Sequence, residues 1–377
     1  MSDEFVTDGL GPLEYEGPLD LSGPPRRQVY AALLAETLGA AADRLGRAVP
    51  SSAFGGRDLA ARPRRAEWRP PAAPSDDESP AAPLAPEEAL RRILALHAEA
   101  PRPAPRFWRG DVDPYRLGWL AVAEAVGRAV AAGADPAALA LDGLFTISHL
   151  DEPAALGGLV RCVQGCAAAA LALGAPFVAG RVRMAKGGQP GEAGSVTVVV
   201  PGELADRPRA RLQPGNFLFA VGQTRPELGG SDFARVGGGV RPQHHAAPRP
   251  LDAPRATLRA VARALREGPA RACRACGPGG LVVALAEMCR ASGAGAETQL
   301  GFVPVDPYYA YAADDAVLFA ESPARFVVEV APGDAAALAA VLVDAPHACF
   351  AVVGGDALRV HPRLPGAADP VLRLPVR

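Results

Sequence analysis

Four groups of residues in this 377-residue sequence have types and spacings that could do chemistry. Cys273-Arg-Ala-Cys276 has the spacing of a metal-ligand pair, but zinc needs a second pair. Only Cys289 or His244-His245 lie near enough in sequence to supply one, so the thiols read as small, semi-buried side chains. His244-His245 sits in the proline-rich stretch RPQHHAAPRP and reads as solvated. Arg181 and Arg183 lie two apart on a predicted strand, which points both guanidinium groups to one side, where each could grip a phosphate with paired donors. Gly229-Gly230-Ser231 offers backbone amides that could cradle an anion, or a tight turn before a helix at Asp232. A further stretch, RACRACGPGGLVVALAEMCRASGAGAE (271–297), has the form of an active-site loop leading into a helix. Its glycines, Gly279-Gly280, allow close backbone approach, yet the loop contains no carboxylate and no hydroxyl. No Ser or Cys nucleophile with a base and an orienting partner emerges from the spacing.

The elements that must position these groups alternate between helix and strand. Tyr30, Leu33, Leu34, Leu38 and Ala41 follow helical spacing. Residues 48–86, rich in Pro, Ala and Arg, with the acidic run Ser75-Asp-Asp-Glu-Ser79 and the basic residues Arg62, Arg64 and Arg65, read as a linker. A short amphipathic helix follows over 87–100, with Leu90, Ile93, Leu94 and His97 on one stripe, His97 as a packed histidine. The ordered body is expected to start near Phe107. A helix marked by Trp119, Val122, Val126 and Val130 stops at Gly133, PAALALDGLFTI reads as a strand, and 154–173 is a second long helix. APFVAGRVRM and GSVTVVVPG are strands. PGNFLFAVGQT opens a second unit, with a helix over 253–267, a strand in ARFVVEVA, a helix over 334–343 and a closing CFAVVGG. The pattern is α/β or α+β in two units that break near 201–213.

Composition narrows the function classes. Hydrophobic residues make up 49% of the chain, enough for one or two real cores. A formal charge of −2 argues against nucleic-acid binding driven by overall electrostatics. No unbroken run of about 18 apolar residues occurs, so no membrane span is expected. The acidic start MSDEFVTDGLG lacks the basic and apolar regions of a signal peptide, which gives a cytoplasmic expectation with six free thiols.

The order of segments then carries a resemblance. DPYRLGWLAVAEAVGRAVAAGADPAALALDGL, ALALGAPFVAG, VGQTRPELGGSDFARV, ALREGPARACRACGPGGLVVALAEM, LFAESPARFVVEVAPGDAAALAAVL and VVGGDALRV, spanning about 107–360, resemble the second half of phosphoribosylformylglycinamidine synthase, a member of the aminoimidazole-ribotide synthetase superfamily. The resemblance implies an N-terminal α/β domain over 107–212 whose strands form a barrel with a second copy. A C-terminal α/β domain over 213–377 would close over a nucleotide, and 1–106 would hold N-terminal helices and the linker. It implies ATP, ADP or another phosphate ligand, and either a homodimer or a complementary synthase half as partner.

Residue by residue, Asp142 matches a position that contacts nucleotide; read from the strand alone, it is a strand-end carboxylate before Gly143. Gly229-Gly230-Ser231 retains the family's glycine loop. Glu321-Ser322 matches an S-E-S-type strand end, with Ala320 in place of the first Ser. The family's D-x-S-D-G-G loop is Ala275-Cys-Gly-Pro278-Gly-Gly280 here, which offers a hard cation no side-chain oxygen. Its L-N-F-G is Leu144-Phe145-Thr146-Ile147, its G-N-V-S strand end is Gly180-Arg181-Val182-Arg183, and its S-H-N-H-type segment is absent. The expected function is therefore a half-chain that binds a nucleotide or phosphate without magnesium, or serves as a structural half, and does no catalysis. The alternative is an active ligase subunit whose catalytic half is a separate chain.

Overall fold

The computed structural model describes residues 33–56, 84–99, 106–108, 113–147, 153–184, 194–202, 211–225, 227–238, 254–364 and 369–376. In chain order these hold α1 (Ala40–Arg44, continuing a π-helical stretch Ala35–Gly39), β1 (Phe54–Gly56), α2 (Pro86–Glu99), β2 (Arg106–Trp108), α3 (Pro114–Ala131), β3 (Leu141–Ile147), α4 (Pro153–Leu173), β4 (Phe177–Met184) and β5 (Gly194–Val199). They continue through β6 (Phe217–Val221), α5 (Asp232–Arg235), α6 (Pro254–Arg266), β7 (Ala272–Cys276), α7 (Gly280–Ser292), β8 (Ala296–Gln299), α8 (Asp314–Phe319), β9 (Arg325–Val330), α9 (Ala335–Val341), β10 (His347–Val353), β11 (Ala357–His361) and β12 (Leu372–Pro375). A five-stranded sheet runs β1-β4-β3-β5-β2 and a seven-stranded sheet runs β12-β11-β8-β10-β6-β9-β7. The fold is mixed α/β in two units, as the alternation of segments predicts.

The first unit is built on two helices in backbone contact. Asp113 caps α3 by accepting from the Tyr115 amide, and Pro114 occupies the first turn, where its missing N–H costs nothing. A Cβ on Gly118 would lie 2.2 Å from the Cys162 carbonyl oxygen, and one on Gly165 only 1.9 Å from that of Tyr115. These two glycines let α3 and α4 approach to van der Waals contact of their main chains. Arg161 seals the crossing, 3.2 Å from Asp113 and 5.2 Å above the Tyr115 ring. This contact also explains the apolar character of α4. Its stretch Ala155–Leu173, despite Arg161 and Gln164, is long and apolar enough to cross a membrane, but 72% of it is buried inside the protein.

The ordered body begins earlier than Phe107. Leu34, Leu38 and Phe54 are buried in the first core, and β1 adds a parallel edge strand beside β4. Helix α2, expected at the end of a linker, buries Ala89, Leu90 and Ile93 in the second core. The strand Ala272–Cys276 is a further difference, because the sequence there reads as loop.

The two units share a core. The cluster packed between α3, α4 and the five-stranded sheet continues through Leu258 and Val261 of α6 to Phe326, Val328 and Val330 of β9. The opposite face of the seven-stranded sheet packs against α7 and α2. Helix α6 reaches out from this junction with arginines. Arg255 donates to the Leu171 and Ala172 carbonyls at the end of α4, Arg263 to the Val341 carbonyl ending α9, and Arg266 pairs with Asp135 at 2.9 Å. Cationic donors on the last carbonyls of a helix satisfy orphan acceptors and complement its dipole.

The outward face of β3 and its neighbours is mixed in character. Cross-strand register puts Asp142, Leu144 and Thr146 beside Arg181 and Arg183 on one flank, with Val199, Thr197 and Ser195 on the other. At the centre of that face Arg181 and Thr197 flank Leu144. The large exposed apolar side chains among the described residues lie elsewhere, at Phe302, Tyr308, Tyr311, Val343, Val352 and Leu364.

Replacing Gly by Ala inside a helix ordinarily gains about 1 kcal/mol of propensity. At Gly165 the overlap should reverse that sign, so Gly165→Ala is expected to lose about 2 kcal/mol net, overpacking costing roughly 1–3. Urea unfolding of the two proteins measures the difference.

Candidate functional site

The residues singled out from the sequence fall into two separate groups. On the first sheet, Arg181 and Arg183 do lie on one side of β4, both exposed. Arg181 Nη2 is 3.2 Å from Asp142 Oδ2, and Arg183 Nε donates to the Thr146 hydroxyl at 3.4 Å. Arg181 is 68% exposed, so this pair is a weak tether in high dielectric and leaves the guanidinium free to reorient. Gly180 points the other way. A Cβ there would sit 3.2 Å from Phe54, with Leu34 and Leu38 close behind, so its lack of a side chain makes room for the first core.

The second group converges on Glu321. This carboxylate is 3% exposed and its Oε1 accepts from the Asp232 amide at 2.8 Å and from the Gly279 amide at 2.7 Å. Its Cα lies just beyond α8, which ends at Phe319, and it fastens two helix entrances, those of α5 and α7. Ser231 caps α5 by accepting from the Ala234 amide at 3.3 Å, and its hydroxyl donates to the Leu228 carbonyl at 2.6 Å. Gly230 turns the chain at φ 71°, a conformation that favours glycine. Gly229-Gly230-Ser231 is thus the tight turn before a helix at Asp232. Ser322 completes the corner: its hydroxyl accepts from the Arg225 amide and donates to the Arg225 carbonyl, at 2.9 and 2.8 Å. No hydrogen bond or ion pair joins this group to Asp142, Arg181 or Arg183 among the described residues.

The glycine loop faces protein. Gly279 and Gly280 both have positive φ, 77° and 74°. A Cβ on Gly279 would lie 2.4 Å from Val283 and 2.9 Å from Ile93 of α2; one on Gly280 would lie 2.5 Å from the Ala320 carbonyl oxygen and 2.7 Å from that of Leu318. The close approach that these glycines permit is made to the protein's own backbone and to a buried isoleucine.

A charge cluster beside this loop was not legible as a site. His97 Nε2 lies 2.8 Å from Asp232 Oδ2, and its Nδ1 is 3.9 Å from Glu287 Oε1. Arg235 pairs with the other Asp232 oxygen at 2.8 Å, and Arg274 with Glu287. His97 on the apolar stripe of α2 was the one available signal. It is packed, as expected, at 16% side-chain exposure, but packed against carboxylates that arrive from α5 and α7.

Cys273 and Cys276 lie on β7, three residues apart, and so point to opposite faces; Cys273 belongs to the first core and Cys276 to the second. They cannot share a metal ion. Burial pushes the Cys276 thiol up against the pull of Arg325 and Arg274, and pushes Cys289 up to about 12. No group of three or more His, Cys, Asp or Glu side chains able to hold a metal occurs among the described residues. His244-His245, Arg62, Arg64, Arg65 and the acidic run at 75–79 lie outside them.

Comparison with known proteins places these elements. Residues 89–203 match the family model for the N-terminal domain of AIR synthase related proteins, and 213–355 match that for the C-terminal domain. The phosphoribosylformylglycinamidine synthase subunit PurL of Anaeromyxobacter sp. (strain Fw109-5) is 31% identical over 262 residues, 66% of this chain and 33% of that protein. PurL of Thermococcus gammatolerans is 34% identical over 226 residues, 58% of this chain and 30% of that protein. The chain therefore spans about a third of the length of these curated relatives. T. maritima PurL complexed with FGAR shares the fold with a TM-score of 0.56 at 18% identity, covering 72% of this chain and 44% of that one. The same protein complexed with AMPPCP gives 0.50 at 20%, over 70% and 41%.

Two outcomes are expected from this geometry. Glu321→Ala strands two buried amides and should cost about 3–4 kcal/mol, since a hydrogen bond to a charged group contributes roughly 1.5–3; Glu321→Gln, which keeps one acceptor oxygen, should lose about half as much in the same urea titration. Of the six cysteines five are buried and Cys349 is exposed, so an aromatic disulfide reagent should label one thiol in the native protein and six after denaturation.

Proposed function

Because the chain belongs to the AIR synthase related family, with PurL of purine biosynthesis among its relatives, we propose that it is a non-catalytic half-chain of that family. It binds a nucleotide or other phosphate ligand, or serves as one structural half of an assembly. One observation carries this reading: the loop at 275–280 is retained as a packing device. Its two glycines are filled by Ile93, Val283 and two backbone carbonyls, and its remaining residues, Ala275, Cys276, Gly277 and Pro278, offer no carboxylate or amide side chain. Magnesium-assisted phosphoryl chemistry needs ligands of that kind to hold the ion that neutralises phosphate charge.

The proposed ligand contacts are Arg181 and Arg183 with Asp142 at the outward sheet face, where the exposed guanidinium groups can leave their weak partners for a phosphate. The corner of Gly229, Gly230, Ser231 and Glu321, in the second unit, is a separate candidate contact, joined to this face by no hydrogen bond or ion pair among the described residues. The charged groups of the same face suit a partner subunit that meets them through charge, either a second copy or a complementary synthase half. The alternative is an active subunit completed by a separate chain; the matched segment covers about a third of each of these relatives.

Two measurements separate these readings. Thermal unfolding with ATP, ADP or AMPPCP, with and without magnesium, should show a rise that needs no metal, because a ligand that binds only the native state stabilises it by about RT ln(1 + [L]/Kd). Purified chain supplied with formylglycinamide ribonucleotide, ATP, magnesium and ammonia should form no amidine product. Sustained turnover would establish the active-subunit reading instead.

A further inference from the structure

The seven-stranded sheet ends differently at its two edges. At β12 the Arg373 amide donates to Glu87 Oε1 of α2 at 2.8 Å, and the next amide on that side falls at Pro375, which has no N–H. Both devices keep a further strand off an edge. The edge strands of the five-stranded sheet, β1 and β2, have three residues each, too few to template another strand. The remaining edge is β7, which has five residues and no proline. Its one charged side chain, Arg274, is turned to α7, where it pairs with Glu287. Helix α3 covers the far half of β7, for a Cβ on Gly127 would lie 3.5 Å from that of Ala275.

The near half opens on a cleft with about 350 Å³ of empty volume, its open mouth included. Successive strand residues point to opposite faces, yet the cleft touches Ala272, Cys273 and Arg274 in a row. It therefore reaches the main chain along the edge of the strand. Its other wall is α7, with Met288 and Ala291 in the middle. The Arg274–Glu287 pair closes one end. At the other end Ser292 Oγ accepts from the Leu212 amide at 2.8 Å and donates to the Met288 carbonyl at 2.7 Å, which sets Arg211 at the mouth. Arg211 is exposed, and no carboxylate pairs with it among the described residues.

We propose that β7 is a docking strand. An extended segment of a partner protein adds to its edge, in the groove between β7 and α7. An apolar side chain of that segment covers Met288 and Ala291, and an acidic side chain two residues along meets Arg211. Main-chain bonds hold such a segment, and pockets for alternate side chains select it. The spacing agrees: Met288 to Ser292 rises about 6 Å along the helix, and residues two apart on a strand are about 7 Å apart. Arg274 and Glu287 offset each other, so Arg211 gives the groove its sign, and an acidic segment fits where a basic one does not. The groove shares no residue with the Arg181–Arg183 face and stands whether or not a nucleotide binds there.

Fluorescence anisotropy on the full chain tests this, with a labelled Thr-Glu-Thr-Val-Thr-Glu-Thr peptide blocked at both ends and able to pair in either direction. The peptide is expected to bind and to slow exchange of at least one amide among residues 272–274. Glutamine in place of both glutamates should weaken binding about threefold, as for an exposed ion pair, and Arg211→Glu about tenfold. Proline in place of the two threonines beside valine removes the amides that join the strand and should abolish binding. Ala291→Phe, at an exposed helix position, fills the cleft and should abolish it too. Arg259→Glu, exposed on α6, should leave the affinity within about twofold. A wild type that ignores the peptide overturns the proposal, as does binding that survives Ala291→Phe or leaves exchange at 272–274 unchanged. Binding confined to peptides with a free C-terminus overturns it in favour of a site for chain ends.

Discussion

One buried carboxylate, Glu321, fixes the architecture of the second unit's corner. A single oxygen receives two backbone amides from segments far apart in sequence, at Asp232 and Gly279. Both amides stand at helix entrances, where the main chain has donors that the helix itself cannot satisfy. The geometry of the Ser231 turn, the orientation of α7 and the position of Asp232 beneath His97 all follow from that shared acceptor. A Glu of this kind reads in sequence as a ligand contact because it matches a strand end beside a serine. In the folded protein its lone pairs are directed inward, to amides that would otherwise be buried without a partner.

The glycines of the two loops make the same point from the other side. Backbone freedom at Gly279 and Gly280 is needed because Ile93, Val283 and the carbonyls of Leu318 and Ala320 come within a Cβ's reach. A pattern that allows a phosphate to approach also allows a helix to approach, and the sequence alone does not separate the two. The occupant here includes Ile93 of α2, a helix the sequence shows by its apolar stripe without showing what that stripe packs against.

Much of the fold was legible because it rests on local rules. Apolar spacing at Trp119, Val122, Val126 and Val130 gives α3, β-branched runs give β5 and β9, and the glycine at 133 marks the end of the helix before it. What could not be read depends on tertiary partners. Strand β7 carries Arg-Ala in the middle of a cysteine pair, a composition that suggests a loop until β9 pairs with all five of its residues. The linkage of His97 to Asp232 spans 135 residues, and no periodicity announces a contact of that kind. Among the site residues, the common side of Arg181 and Arg183 follows from strand geometry, whereas the inward direction of Gly180 needed the neighbouring β1, whose Phe54 fills the space.

The arginines of α6 and the core they border have a consequence for motion. Leu258 and Val261 lie in one uninterrupted cluster with residues of α3, α4 and β9, while Arg255 and Arg263 tie the ends of α4 and α9 to the same helix. Proteins that close over ligands by hinge bending rotate one lobe against another across a thin, polar seam. This seam is thick, apolar and riveted at both ends, so a rigid-body opening would tear a core apart. Slow amide exchange in α3 and β9 should then share one protection level, characteristic of a single cooperative unit. Any ligand must enter through local movement of loops and side chains.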